Sequence, residues 1–226
     1  MIQALPKLSG RLFRGRLCEE LRRRPARPIR AGEFLYHMGE PARSLYLVQR
    51  GLVKTGMVSP SGQELTLRLH KPNDIFGELC LCGGERRDYA VALEESEVVE
   101  IPLDLLLGRL REDPSAAMDF ASTACVHLDQ AYERLRSLSA ESVMERLTRT
   151  LLDLTASLGE PSAQGTQIPH HITQEELGRL MSARREVVSG LLNQLRNSGV
   201  ISYSRRGHIV VRTEALRQLL ESLDGK

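Results

Sequence analysis

Short apolar-alternating runs broken by glycine fill the chain from about Pro28 to Pro102. Ser44–Gln49, Leu52–Thr55, Leu65–Leu69 and Val98–Ile101 carry the period-two alternation of strands. Gly32, Gly39, Gly51, Gly62 and Gly77 punctuate them, and Ser59-Pro60-Ser61-Gly62 is a hairpin-loop signal. Many short strands at near-regular spacing predict an all-β sandwich or barrel.

The pattern changes at Asp113-Pro114, an N-cap followed by a proline tolerated in the first helical turn. From there Met118, Ala121, Cys125, Leu128, Tyr132 and Leu135 recur at alternating steps of three and four. That average of about 3.5 residues is the period of a coiled-coil seam. A helix with this stripe either packs on its own domain or pairs with a second copy of itself. Its place between a β domain and a helical one favours pairing. Ser139-Ala140-Glu141 reads as a hinge; Val143, Leu147, Leu151 and Leu154 mark a further helix. Residues 159–169, rich in Gly, Pro, Ser and Gln, read as a surface loop.

The segment from Ile172 to Val211 has the pattern of a winged helix-turn-helix. Thr173 to Glu176 fits a capping box, Leu177, Leu180 and Met181 give a short buried stripe, and Ser182-Ala183-Arg184 forms the turn. On the second helix, Arg185 to Asn197, the residues Val187, Val188, Leu191, Leu192 and Leu195 share an apolar arc. Arg185, Glu186, Ser189, Asn193 and Arg196 fall on the opposite arc. Arginine can bond guanine through two donors, and glutamate can accept from the cytosine amino group. Recognition helices read base edges chiefly through their N-terminal residues. Two apolar runs, 199–203 and 208–211, flank Arg205-Arg206-Gly207, as in a β-hairpin wing with a phosphate-contacting tip. The predicted DNA-contacting set is Thr173, Arg184, Arg185, Glu186, Ser189, Asn193, Arg196, Arg205 and Arg206.

Composition narrows the alternatives. With 31 basic and 29 acidic residues the net charge is only +2, so affinity for nucleic acid must come from local patches. Cys18, Cys80, Cys82 and Cys125 are too few and too unevenly spaced for a disulfide scaffold or a zinc site. They leave open a thiol-redox response. Isolated histidines such as His37, His70 and His127 read as structural more readily than as haem ligands. The sequence has no GxSxG, P-loop or HExxH motif, so neither a catalytic residue nor a metal ligand is assigned. No apolar stretch approaches the length of a membrane span, and no signal-peptide pattern opens the chain; the expected location is the cytoplasm.

Taken together, these segments resemble the Crp/Fnr superfamily of bacterial transcription regulators over nearly the whole length. The run from Gly32 to Ala42, Leu45 to Val48 with Gly51, Phe76-Gly77-Glu78-Leu79, Ile172 to Gly178 and Arg185 to Ser189 occur in the family's order. The resemblance implies an α+β chain with an N-terminal β-roll of the cyclic-nucleotide-binding jelly-roll type over residues 1–112. A dimerisation helix over 113–139 and a C-terminal winged helix-turn-helix domain over 140–226 follow. It implies a homodimer on a two-fold symmetric double-stranded DNA site, with an effector in the roll shifting the DNA heads. The 159–169 segment lies where family activators touch RNA polymerase.

The implied effector residues are Gly77, Glu78, Leu79, Arg86, Arg87, Ala131 and Tyr132. In cyclic-nucleotide-binding members the residue at Glu78 holds the ribose hydroxyl, and an Arg-Ser pair grips the phosphate. Here Arg86 matches that arginine, Arg87 stands at the serine, and Ala131-Tyr132 replaces the usual hydroxyl pair near the base. A cyclic nucleotide, another small ligand or a constitutive regulator are the candidate states. A regulatory nucleotide-binding module acting on a protein partner is the alternative of a different class. Gly190 stands where most members carry a second base-reading arginine.

Overall fold

A computed structural model describes residues 16–224, with side chains over residues 19–223. The side chain of Cys18 therefore lies outside the described residues. The chain divides into two compact units, up to Ala131 and from Tyr132 onward, with the division falling inside one long helix.

The first unit begins with helix α1 (Arg16–Arg22) and continues as eight strands: β1 (Arg27–Ile29), β2 (Phe34–Tyr36), β3 (Ser44–Arg50), β4 (Val53–Val58), β5 (Glu64–His70), β6 (Ile75–Phe76), β7 (Tyr89–Ala92) and β8 (Ser96–Pro102). A 3₁₀ turn, Glu78–Cys82, separates β6 from β7. The strands form two antiparallel sheets, ordered β1-β8-β3-β6 and β2-β7-β4-β5. β3 is buried on both faces because its alternation serves two cores. Leu45 and Leu47 join Val99, Ile101, Leu106 and Phe120 in one core. Tyr46 and Val48 turn the other way, to Tyr36, Val53, Phe76 and Val98 inside the roll.

Helices α2 (Leu103–Glu112) and α3 (Pro114–Ala140) follow. The expected N-cap is present: Asp113 Oδ1 accepts from the backbone N–H groups of Ser115 (3.0 Å) and Ala116 (3.1 Å). The ten-residue helix α2 follows Pro102, which gives it no side-chain cap, so it lacks the start signal that marks α3.

The second unit contains α4 (Val143–Leu158), the hairpin β9 (Glu160–Ser162) and β10 (Gly165–Gln167), α5 (Gln174–Met181), α6 (Arg185–Asn197), β11 (Ile201–Tyr203), β12 (Ile209–Val211) and α7 (Thr213–Asp224). The segment expected to be a surface loop is thus a two-stranded hairpin. Thr166 and Gln167 pair with Val211 and Val210, extending the wing into the sheet β11-β12-β10-β9. Thr173 caps α5, its hydroxyl accepting from Glu176 N–H at 3.0 Å. A full capping box stands at Ser142–Glu145, at the start of α4. The tight α5–α6 turn rests on Gly178, where a Cβ would sit 2.6 Å from the carbonyl oxygen of Ala183. On α6, Val188, Leu192 and Leu195 are buried, but Val187, assigned to the apolar arc, is exposed.

Candidate functional site

Inside the roll, Gly77 takes a left-handed conformation (φ 82°) that turns the chain out of β6 and into the Glu78–Cys82 turn. The turn places Glu78 against α3, where its carboxylate lies 2.8 Å from His127 Nδ1. Burial by itself would raise the Glu78 pKa, but the hydrogen bond and charge of His127 outweigh it and hold the carboxyl at about 2.

Arg86 points inward and Arg87 outward. The Arg86 guanidinium donates to the carbonyls of Gly77 (3.2 Å) and Ser44 (2.5 Å). It also stacks 4.0 Å from the centre of the Tyr36 ring. Tyr36 donates to Asp88 at 3.2 Å. Burial is the largest influence on Asp88 and pushes its carboxyl up to about 6. Burial and the neighbouring Asp88 carboxylate raise the Tyr36 hydroxyl. Tyr36, Tyr46, Phe76 and His70 form a run of stacked rings with neighbouring centroids 4.7–5.5 Å apart. His70 bonds Thr55 Oγ1 at 3.0 Å, and burial followed by the Arg68 charge pushes its ring down to about 3.

Of the expected effector residues, Gly77, Glu78 and Arg86 come together in this cluster. Leu79 is 43% exposed, and Arg87, Ala131 and Tyr132 are also exposed. The neighbouring groups that sequence reasoning did not assign to the site are His127, Arg68 and His70. The last two carried a signal: polar Thr66, Arg68 and His70 alternate with the leucines of β5. Cys80 is buried, and burial pushes its thiol pKa up, which suppresses the reactive thiolate. Cys82 and Cys125 are exposed.

The six stripe positions of α3, Met118, Ala121, Cys125, Leu128, Tyr132 and Leu135, are all exposed. Met118, Tyr132 and Leu135 each leave 60% or more of their surface to solvent. An apolar row this long, open to solvent along one helix, is not a face packed against the described residues.

In the second unit, a cleft of about 450 Å³ opens between the start of α5, α6 and the wing. Thr173, Gln174, Arg185, Asn193, Arg196 and Tyr203 line it. Arg184, the N-cap residue of α6, is exposed, as are Glu186 and Arg196 on the helix, and Ser189 is half-buried. The exposed wing tip, Arg205-Arg206, is held by Gly207 N–H donating to Ser204 O (2.9 Å) and Ser204 N–H to His208 O (2.8 Å). A Cβ on exposed Gly190 would meet nothing within 4 Å, so local packing does not require glycine there.

Residues 26–113 match the family described as a cyclic nucleotide-binding domain, and residues 145–219 match the Crp-like helix-turn-helix domain. The chain is 33% identical over 180 residues to the anaerobic regulatory protein of Bacillus subtilis, covering 79% of this chain and 76% of that protein. It is 34% identical over 186 residues to the cyclic AMP receptor protein of Thermus thermophilus, covering 82% of each. The solved structure of FixK2 from Bradyrhizobium japonicum superposes with a TM-score of 0.76 at 26% identity, covering 88% of this chain and 96% of that one.

Proposed function

Because the chain belongs to the Crp/Fnr family of transcription regulators, we propose that it reads a two-fold symmetric DNA site as a homodimer paired through α3. It is a DNA-binding transcription regulator with an effector-type β-roll and a Crp-like helix-turn-helix. The functional division we adopt is 1–112 for the effector domain, 113–139 for the dimerisation helix and 140–226 for the DNA-binding domain. Regulation proceeds through binding, with no catalytic step. Among the described residues no helix is long and apolar enough to cross a membrane, and the cytoplasm is the compartment we assign. The β9–β10 hairpin is our candidate contact for RNA polymerase.

One observation carries the DNA assignment: the polar face of α6, the capped start of α5 and the wing, through Tyr203 and Gly207, border the same cleft, and the exposed wing tip carries Arg205-Arg206. Arg185, Glu186 and Ser189 would address base edges, with Asn193 and Arg196 further along the groove. Thr173, Arg184, Arg205 and Arg206 would rest on phosphates.

Glu78 and Arg86 are the residues on which a cyclic nucleotide would depend, through its ribose hydroxyl and its phosphate. Arg86 here gives Nη1 and Nη2 to two carbonyls and stacks on a tyrosine face, with Nε left unpaired, and Glu78 is held by His127. This geometry favours an effector-independent regulator, or one whose ligand must first displace these contacts.

Fluorescence anisotropy on a selected palindrome at physiological salt, with and without cAMP, tests both points. Arg185→Ala should cost about 1–3 kcal/mol per half-site and relax base preference there. Unchanged affinity would instead favour a module acting on a protein partner. Tight binding without cAMP is the expected result; binding that needs cAMP would show that the Arg86 contacts yield to a nucleotide.

A further inference from the structure

The end of α3 is tied to the helix-turn-helix by a set of charged hydrogen bonds. Arg134 Nη2 donates to the carbonyl of Leu180 at 2.7 Å, and Arg146 Nε donates to that of Met181 at 3.1 Å. These are carbonyls of the last turn of α5, where a helix leaves its acceptors unpaired and carries partial negative charge. The chain then passes through left-handed Ser182 (φ 55°) and enters α6 three residues later.

The α3–α4 junction is fastened by the same group. Arg146 Nη1 donates to the Glu141 carbonyl at 2.7 Å. The Glu141 carboxylate, 5% exposed, takes Arg149 at 2.9 Å and the Ser137 hydroxyl at 2.5 Å. Of the Ser139–Glu141 segment, expected to be a hinge, Ser139 and Ala140 still belong to α3; the helix breaks at Glu141, and the break is a braced corner. Neighbouring Leu135 is 63% exposed at the end of the apolar row, about 100° around the helix from Arg134. Consecutive residues thus face the dimer seam and the DNA head.

We propose that Arg134 is a positioning residue that fixes each recognition helix relative to the dimer seam and so sets the spacing between half-sites the dimer accepts. This rests on the dimeric DNA-binding reading and adds to it the device that holds the heads in register. Each added base pair moves a half-site by about 3.4 Å and turns it by about 34°. A head clamped to its own α3 cannot follow that change; a head released from α3 can.

The test uses the full-length protein and palindromes with one half-site sequence and central spacers differing by single base pairs. Wild type should prefer one spacer by about tenfold or more, a difference of about 1.4 kcal/mol. Arg134→Gln should flatten that preference to within about threefold, equivalent to about 0.6 kcal/mol, while keeping dimer mass and half-site base preference. Arg134→Lys, which can still donate to the α5 carbonyls, should restore part of it. An unchanged spacing profile in Arg134→Gln, or an equal loss at every spacing, overturns the proposal. A sharp wild-type preference with either result leaves the dimeric DNA-binding reading standing, whereas wild type that ignores palindromes altogether removes both.

Discussion

Asp88 and His70 are both nearly excluded from water, at 6% and 2% exposure, and both lie inside the roll. Burial raises the Asp88 carboxyl from 3.8 to about 6, so its contribution is full below 3.8 and is lost as pH rises through 6. Burial depresses His70 from 6.5 to about 3, so its contribution is full above 6.5 and is lost as pH falls toward 3. Between pH 6 and 4.5 the folded state holds one extra proton on Asp88 and lacks one on His70, and the two slopes oppose each other. Below 4.5 Glu78 also enters, its stabilisation being lost as pH falls toward about 2. Asp88→Asn removes one of the opposing slopes and keeps an acceptor for Tyr36. Relative to wild type, the variant should lose about 2 kcal/mol between pH 6 and 4.5, at about 1.4 kcal/mol per unit. It should also be the more stable protein at pH 7. Urea-denaturation midpoints at the three pH values measure this, and parallel pH curves for the two proteins would refute the assignment of a raised Asp88 carboxyl.

At the scale of elements, α3 carries the clearest unfilled contact, since an apolar row from Met118 to Leu135 meets solvent. Leu128→Glu would forfeit two leucine burials, about 2 kcal/mol each, and set like charges near each other across the seam. The dimer dissociation constant should rise by about a thousandfold, since each 1.4 kcal/mol is tenfold. Light scattering after size exclusion reads the mass directly; a variant that remains dimeric would place the seam elsewhere. The helix was legible because its signals are local: an N-cap, a proline and a repeat of three and four. The DNA helices were legible for the same reason. The β9–β10 hairpin was not, because Gly159, Pro161, Ser162 and Gly165 look like loop, and its strand character comes from pairing with β12 more than forty residues away. Site residues divide along the same line. Glu78 and Arg86 stand in a recognisable run, but the Glu78 partner, His127, is 49 residues distant, and no local pattern shows that Arg86 turns in while Arg87 turns out. Val187 is the complementary failure: a wheel puts it on the apolar arc, yet burial depends on what packs there, and it remains exposed.

For the whole molecule, a net charge of +2 means that long-range attraction to DNA is weak and that affinity rests on where the arginines are placed. The wing tip and the α6 face divide the work. Arg205 and Arg206 are exposed at a hairpin turn and do not line the cleft, whereas Arg185 lines it together with Asn193 and Arg196 of the same helix, the helix proposed to read bases. Phosphate contacts release counterions, and each one steepens the dependence of log K on log salt by about 0.9 for duplex DNA. Replacing both wing arginines by alanine removes up to two contacts per protomer, hence four per dimer. The salt slope should become shallower by about 2 to 4, with half-site sequence preference intact. Arg185→Ala should do the reverse, relaxing base preference with a slope change of about 1 or less per half-site. Titrations at several salt concentrations, on the selected palindrome and on a scrambled duplex, separate the two contributions. A double wing variant with the wild-type slope would mean that the wing stands clear of the backbone, and the charge that holds this regulator on DNA would then have to lie along α6 and the start of α5.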